Sequence, residues 1–121
     1  MVVFYGFYQI EISQFVLTDT VLAKNHDGNS AIHLAAFYGH IEVIELLVDY
    51  GANVNEANSS GYMPLHVACQ NNKVEAVSKL LQLGANPCLR NQVSSWVPLH
   101  EAAWNGCIEC NGLILVILYL M

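Results

Sequence analysis

One block of this sequence returns after 33 residues. "SAIHLAAFYGHIEVIELLVDYGANVN" covers 30–55 and "MPLHVACQNNKVEAVSKLLQLGANPC" covers 63–88. His33 and His66 are 33 apart, as are Gly51 and Gly84. "VPLHEAAWNGCIEC" begins a third copy at 97, and its His100 lies 34 beyond His66, so one residue is inserted within "NQVSSW". A fixed period of this size constrains the fold more than any local propensity. Each unit is one supersecondary piece that cannot bury its own apolar face, and stacked neighbours bury it for each other. At 121 residues the chain is one domain or a piece of one.

Each unit reads as two short helices. The first, near 31–38, packs on small residues such as Ala35 and Ala36. The second, near 41–49, places Ile41, Ile44, Leu47 and Val48 at helical spacing. Gly51 follows where a left-handed residue ends a helix. "KNHDGNS" and "NEANSSGY" are turn-rich connectors.

These residues carry a resemblance to the ankyrin repeat family. Its pattern runs roughly D-x-x-G-x-T-P-L-H-x-A-A, then x-x-G-H-x-E-V-V-x-L-L-L, then x-x-G-A-D-V-N. "GNSAIHLAAFYGHIEVIELLVDYGANVN" matches almost throughout. The second copy keeps "PLHVA", "VEAV" and "LGAN", with Asn72 where glycine is usual. The match is specific over 25–106. The resemblance implies an all-α repeat: an ankyrin solenoid of stacked helix-turn-helix units with short hairpin-like connectors. The repeats fall at 25–57 and 58–91, with a degenerate partial repeat at 1–24 and an incomplete one at 92–121 whose C-terminus is aberrantly apolar.

Both ends depart from the pattern. "FYGFYQIE" at 4–11 echoes "FYGHIEVI" at 37–44, and on the 33-residue register Gly6, Val21, Asn25 and Gly28 fall on Gly39, Val54, Asn58 and Gly61. That register also sets Ser13 and Gln14 on Leu46 and Leu47. A two-residue deletion instead aligns "EISQFVL" with "EVIELLV", so a helix is expected near 11–17 and "FYGFYQ" becomes a chance echo. At the other end, Asn111 and Gly112 sit mid-helix, where glycine costs about 1 kcal/mol. Leu118 stands where the loop glycine is expected. A terminal repeat should turn a polar face to water, and "GLILVILYLM" does the reverse. With two good copies and two partial ones, the array is expected to be marginally stable and to self-associate through its apolar C-terminus.

Composition narrows the function. Four Lys+Arg stand against ten Asp+Glu, which argues against a phosphate-backbone binder. Charged residues are only 12% of the chain, about half the usual share, so much of the surface is neutral or apolar. Such surface usually has a partner. No basic n-region or A-x-A-like site opens the chain, so no secretory signal is read and the expected location is cytoplasmic or nuclear. The four cysteines are then expected to be reduced. The apolar tail is about half the length that spans a membrane, so no membrane span is expected.

Three constellations invite a chemical reading. His33, His66 and His100 recur at equivalent positions, but stacked helices hold neighbouring units about 10 Å apart, and zinc draws its ligands to about 2 Å of one centre. The resemblance instead implies a buried histidine bonded to backbone between repeats. "CIEC", Cys107 to Cys110, has no second C-x-x-C to complete a zinc site, so it is read as packing. "NHDGNS" is a hairpin tip without a nucleophile. No catalytic residues, cofactor or metal are expected, and the chain is not read as an enzyme.

What remains is binding to another protein. The resemblance implies a concave face built from connector tips and first helices, with loops on a rigid scaffold carrying specificity. The family's variable contact positions fall on His26, Asp27, Asn29, Phe37 and Tyr38 in the first full repeat. In the second they fall on Ser59, Ser60, Tyr62, Gln70 and Asn71, with Arg90 at its end. In the third they fall on Val93, Ser94, Trp96, Trp104 and Asn105. Five of these are aromatic and one is arginine, and Tyr, Trp and Arg are enriched at interface hot spots. A second expectation belongs to another class. "AKNHDGNSAIHLAA" and "WVPLHEAAWNG" are similar to the array of invertebrate Shark-type non-receptor tyrosine kinases, which lies between phosphotyrosine-binding modules. The chain would then be a fragment of a multidomain signalling enzyme, with no kinase motif and no activity of its own.

Overall fold

A computed structural model describes residues 2–5, 8–11 and 21–121. Six helices account for about half of it: α1 (Ala31–Tyr38), α2 (Ile41–Asp49), α3 (Pro64–Gln70), α4 (Val74–Gln82), α5 (Pro98–Trp104) and α6 (Ile108–Leu120). They form three antiparallel pairs. The first helices α1, α3 and α5 stack in one layer, and α2, α4 and α6 stack in the other. The all-helical repeat expected from the sequence is the observed architecture, and α1 and α2 keep the expected bounds.

The described residues also hold a two-stranded antiparallel sheet, β1 (Val2–Tyr5) with β2 (Tyr8–Glu11), Val2 opposite Glu11 and Tyr5 opposite Tyr8. Phe37 and Tyr38 close a helix, whereas Phe4 and Tyr5 lie in a strand. The repeated letters thus take two conformations. The helix expected near 11–17 lies, apart from Glu11, outside the described residues.

Layer contact follows from side-chain size. Ala36, Ala68 and Ala102 are fully buried and let first helices approach closely. Ile44, Leu47, Leu80 and Ile114 fill the space between the layers, none more than 1% exposed. Each contributes about 1.5–3 kcal/mol relative to remaining in water. Between the helices of a pair the chain must turn left-handed. Gly39 (φ 72°) and Gly106 (φ 70°) do so at equivalent positions, and Asn72 (φ 55°) does so where the sequence lacks glycine. Asparagine tolerates this region better than other residues with a Cβ.

The third pair departs from the others. With no glycine at 118, α6 runs for 13 residues where α2 and α4 run for 9. The expectation of four reduced cysteines is corrected here: Cys107 and Cys110 are joined in a disulfide. Cys107 caps α6 and Cys110 stands in its first turn, so both sulfurs turn inward on one helix face, buried in the core. Cys69, buried, and Cys88, exposed, are free thiols. Burial pushes the Cys69 thiol up to about 12, with the Glu101 charge adding to it.

Candidate partner-binding surface

Each connector is a hairpin tip organised by an asparagine. The Asn25 side-chain carbonyl accepts from the backbone N–H of Asp27 and Asn29, that of Asn58 from Ser60 and Tyr62, and that of Asn91 from Val93 and Ser94, all at 2.8–3.0 Å. Backbone bonds close the tips, from Asn25 N–H to Asn29, Asn58 N–H to Tyr62 and Asn91 N–H to Trp96. The third closure spans one residue more, which locates the insertion in the tip. Neighbouring tips then join: Ser59 N–H donates to the Asp27 carbonyl at 3.0 Å, and Gln92 N–H to that of Ser60 at 2.8 Å. A Cβ on Gly28 would sit 2.7 Å from the Ser59 nitrogen, and one on Gly61 2.8 Å from that of Gln92. Ser95, φ 59°, takes the equivalent left-handed place in the third tip.

Histidines tie the tips to the helices. His33 Nδ1 accepts from Ser30 N–H at 3.1 Å, so Nε2 carries the proton and donates to the Tyr62 carbonyl at 2.8 Å. His66 repeats this with Met63 N–H at 3.2 Å and the Trp96 carbonyl at 2.9 Å. Both rings are buried, which lowers their pKa below 6.5; the bonds to Tyr62 and Trp96 oppose that shift. The structural role expected of these two is observed. His100 differs. It takes Val97 N–H at 3.1 Å, but its ring is exposed and no carbonyl of a further tip receives it among the described residues.

The candidate positions fall into columns across this frame. Asn29, Tyr62 and Trp96 end the three tips, and Phe37, Gln70 and Trp104 stand near the ends of the three first helices. Asn29, Phe37, Tyr62 and Gln70 line one groove of about 170 Å³, floored by Leu34 and Val67. In the third repeat the two indoles meet, with ring centroids 5.7 Å apart and planes at 56°. Phe37 is 45% exposed, Tyr38 61% and Trp104 77%. Tyr38 and Trp104 thus stand mostly in solvent, and Phe37 is about half covered beside Val67 and Gln70 of α3.

Other candidates are committed elsewhere. Asn71 and Asn105 donate their side-chain amides to the Val67 and Glu101 carbonyls, both at 2.8 Å, closing their own helices. Arg90 is exposed, yet its guanidinium donates to the Ser95 carbonyl at 2.7 Å, bracing the third tip. His26 and Asp27 are exposed on the first tip, and Tyr38 packs edge-on to Phe37 at 4.9 Å.

Two features were missed from the sequence. Glu101 stands in the column of Leu34 and Val67, buried, with Asn91 Nδ2 donating to its carboxylate at 3.2 Å and Gln70 bonding it too. Burial raises its pKa above the usual carboxylate value, and these bonds oppose the rise. The signal was present: "HLAA", "HVAC" and "HEAA" differ in one charged letter. The second feature is an apolar groove of about 610 Å³ between α4 and α6, bounded by Val74, Leu81, Leu113 and Val116 and open at Gly112. Among the described residues, no three His, Cys, Asp or Glu side chains gather where a metal could be held, and no helix is long and apolar enough to cross a membrane.

Comparison with known proteins agrees with this geometry. The family description "Ankyrin repeats (3 copies)" matches residues 3–91 and 58–116. This chain belongs to the ankyrin repeat family. The array is 38% identical over 87 residues to tyrosine-protein kinase Shark of Drosophila melanogaster, covering 72% of this chain and 9% of that protein. It is 31% identical over 101 residues to tyrosine-protein kinase HTK16 of Hydra vulgaris, covering 83% and 13%. A probable E3 ubiquitin-protein ligase, XBOS33 of Oryza sativa subsp. japonica, is 37% identical over 87 residues, covering 72% and 17%. The array thus spans about a tenth of the length of the kinases it matches. An ankyrin array of this kind is a non-catalytic module, and such modules mediate protein–protein interaction.

Proposed function

We propose that this array docks a partner protein on the concave face formed by its tips and first helices, in cytoplasm or nucleus. One observation carries the reading: exposed Phe37 and Trp104 and half-buried Tyr62 and Trp96 stand at equivalent repeat positions on a frame fixed by the asparagine tips and histidine bonds. A rigid frame lowers the ordering cost of binding, and large aromatics supply contact area with few torsions to freeze. The test compares the wild-type array with Trp96→Ala/Trp104→Ala as bait. A partner recovered by the first should be titrated against both by calorimetry. A loss of thirtyfold or more, about 2 kcal/mol, marks a hot spot. Unchanged affinity with an intact circular-dichroism spectrum would sink the assignment. The kinase relatives support the array's serving as an internal scaffold of a larger signalling enzyme, with no catalysis of its own.

A second reading follows from α6 and the residue after it, where Leu115, Val116, Tyr119, Leu120 and Met121 are exposed. Such a patch favours association of arrays edge to edge. Sedimentation velocity should show oligomers that dissociate on Val116→Lys. A monomer at all concentrations removes this reading.

A further inference from the structure

We propose that the segment bound on this face carries a lysine or arginine that seats against the Trp96–Trp104 pair, with Glu101 as its counter-charge. This rests on the concave-face reading and names the chemistry of the occupant. Three observations converge. The indole planes meet at 56° with centroids 5.7 Å apart, the Trp96 ring also lies 5.9 Å from that of His100, and Trp104 is 77% exposed. A cation within about 6 Å of an aromatic centroid is attracted to the ring face. Glu101 lies three residues before Trp104 on α5, hence on the same side of the helix.

The second observation is the change along the floor of the face. Leu34 and Val67 give way to Glu101, which is only 5% exposed. Its bonds come from the neutral amides of Asn91 and Gln70, and only His100 adds a favourable charge. A buried carboxylate without a cation retains much of its desolvation penalty, so an arriving cation is rewarded there more than at an exposed acid. The third observation is that none of the array's own Lys or Arg side chains forms an ion pair with Glu101. The four are Lys24, Lys73, Lys79 and Arg90. Lys24 pairs with Glu56 and Lys79 with Glu45, the Arg90 guanidinium donates to the Ser95 carbonyl, and the Lys73 stem packs beside Gly39 in the turn between α1 and α2. The net charge of −6 favours the approach of a basic segment.

The other half of the face asks for different chemistry. The groove between Leu34, Phe37, Tyr62 and Val67, walled also by Asn29, Asn58 and Gln70, takes a neutral side chain with both apolar and hydrogen-bonding surface. Repeats lie about 10 Å apart and an extended chain advances about 3.3 Å per residue, so the two anchors should be about three to five residues apart in the bound segment.

A phage-displayed library of random dodecamers, selected on the immobilised array, tests this. Selected peptides would be synthesised and titrated by intrinsic fluorescence, since the chain's two tryptophans are both at the site. Peptides rich in Lys or Arg are expected. Replacing the basic residue by norleucine should weaken binding at least tenfold. Glu101→Gln, which keeps an acceptor for Asn91, should weaken the basic peptide by a similar factor and leave the norleucine peptide unchanged. Equal binding of lysine and norleucine peptides to the wild-type array overturns the proposal whether or not the variant folds. Peptides that need Trp104 but no cation overturn this inference alone. Peptides indifferent to Trp104→Ala, or no selected peptide at all, overturn the concave-face reading and this inference with it.

Discussion

Replacing His66 by alanine removes one ring and two backbone bonds. The ring is 0% exposed and joins the Met63 N–H, 3.2 Å away, to the Trp96 carbonyl, 2.9 Å away. Met63 is itself buried, so no solvent replaces its lost acceptor. An unsatisfied buried donor or acceptor costs about 1–3 kcal/mol, and the vacated volume adds to this. The expected loss is about 3–5 kcal/mol, against a total of about 5–15 kcal/mol for an ordinary domain. His100→Ala is the internal control. The same side chain in the same sequence context makes only the Val97 bond and is exposed, so its removal should cost about 1 kcal/mol or less. Urea unfolding followed by far-ultraviolet circular dichroism resolves the two. With a slope of about 1–3 kcal/mol per molar, His66→Ala should lower the midpoint by about 1 M or more, or abolish folding. His100→Ala should move it by well under that. Equal shifts for the two variants would refute the claim that the inter-repeat bond, rather than the helix start, is what the histidine contributes.

Acid should weaken the array through the same residues. The folded pKa of His33 and of His66 lies below 6.5, so stability is full above that pH and falls as the unfolded chain takes up protons below it. Glu101, raised by burial, works in the opposite sense at lower pH. Midpoints that stay level from pH 7.5 to 5.5 would contradict this. Gly28→Ala should destabilise by about 1–3 kcal/mol, because its Cβ meets the Ser59 backbone nitrogen at 2.7 Å and its φ is +74°; a melting temperature equal to wild type counts against the tip geometry. Gly112→Ala should do the reverse. Its Cβ meets nothing within 4 Å and it stands inside α6, so thermal melts should show a gain of about 1 kcal/mol. Asn72→Val, forced to φ 55°, should cost about 1–2 kcal/mol by the same melts, whereas Asn72→Gly should be close to neutral.

The repeat period made the helix pairs legible, because the covering of one unit by the next is written at fixed spacing. His33 and His66 were readable for the same reason. His100 was not, since its letter matches theirs and only the missing receiver distinguishes it. The capping amides of Asn71 and Asn105 escaped because a position at a helix end says nothing of where a short polar side chain turns. Glu101 was visible as a charge in an apolar column, but its bonds come from residues 10 and 31 positions away in sequence. The disulfide went against an argument from cellular compartment, which carries no information about where two nearby sulfurs point. Phe4-Tyr5 and Phe37-Tyr38 show the limit of local likeness: two shared residues do not set a conformation when the apolar surface that a helix would cover is not specified.

The histidine bonds all run one way, from each repeat to the tip of the next. Such wiring makes the length of the array quantised. Duplicating a block of 33 residues, cut at any point of the register, gives each new copy of His33 or His66 a receiver. Removing a block that leaves the register, with no tip to absorb the difference, strands one ring and one carbonyl. The single inserted residue of the third repeat respects this rule, because it is absorbed in the loop between Asn91 and Trp96, where Ser95 adopts the conformation glycine holds elsewhere. Growth and loss by whole units are therefore nearly silent events for this fold, and slippage within a unit is not.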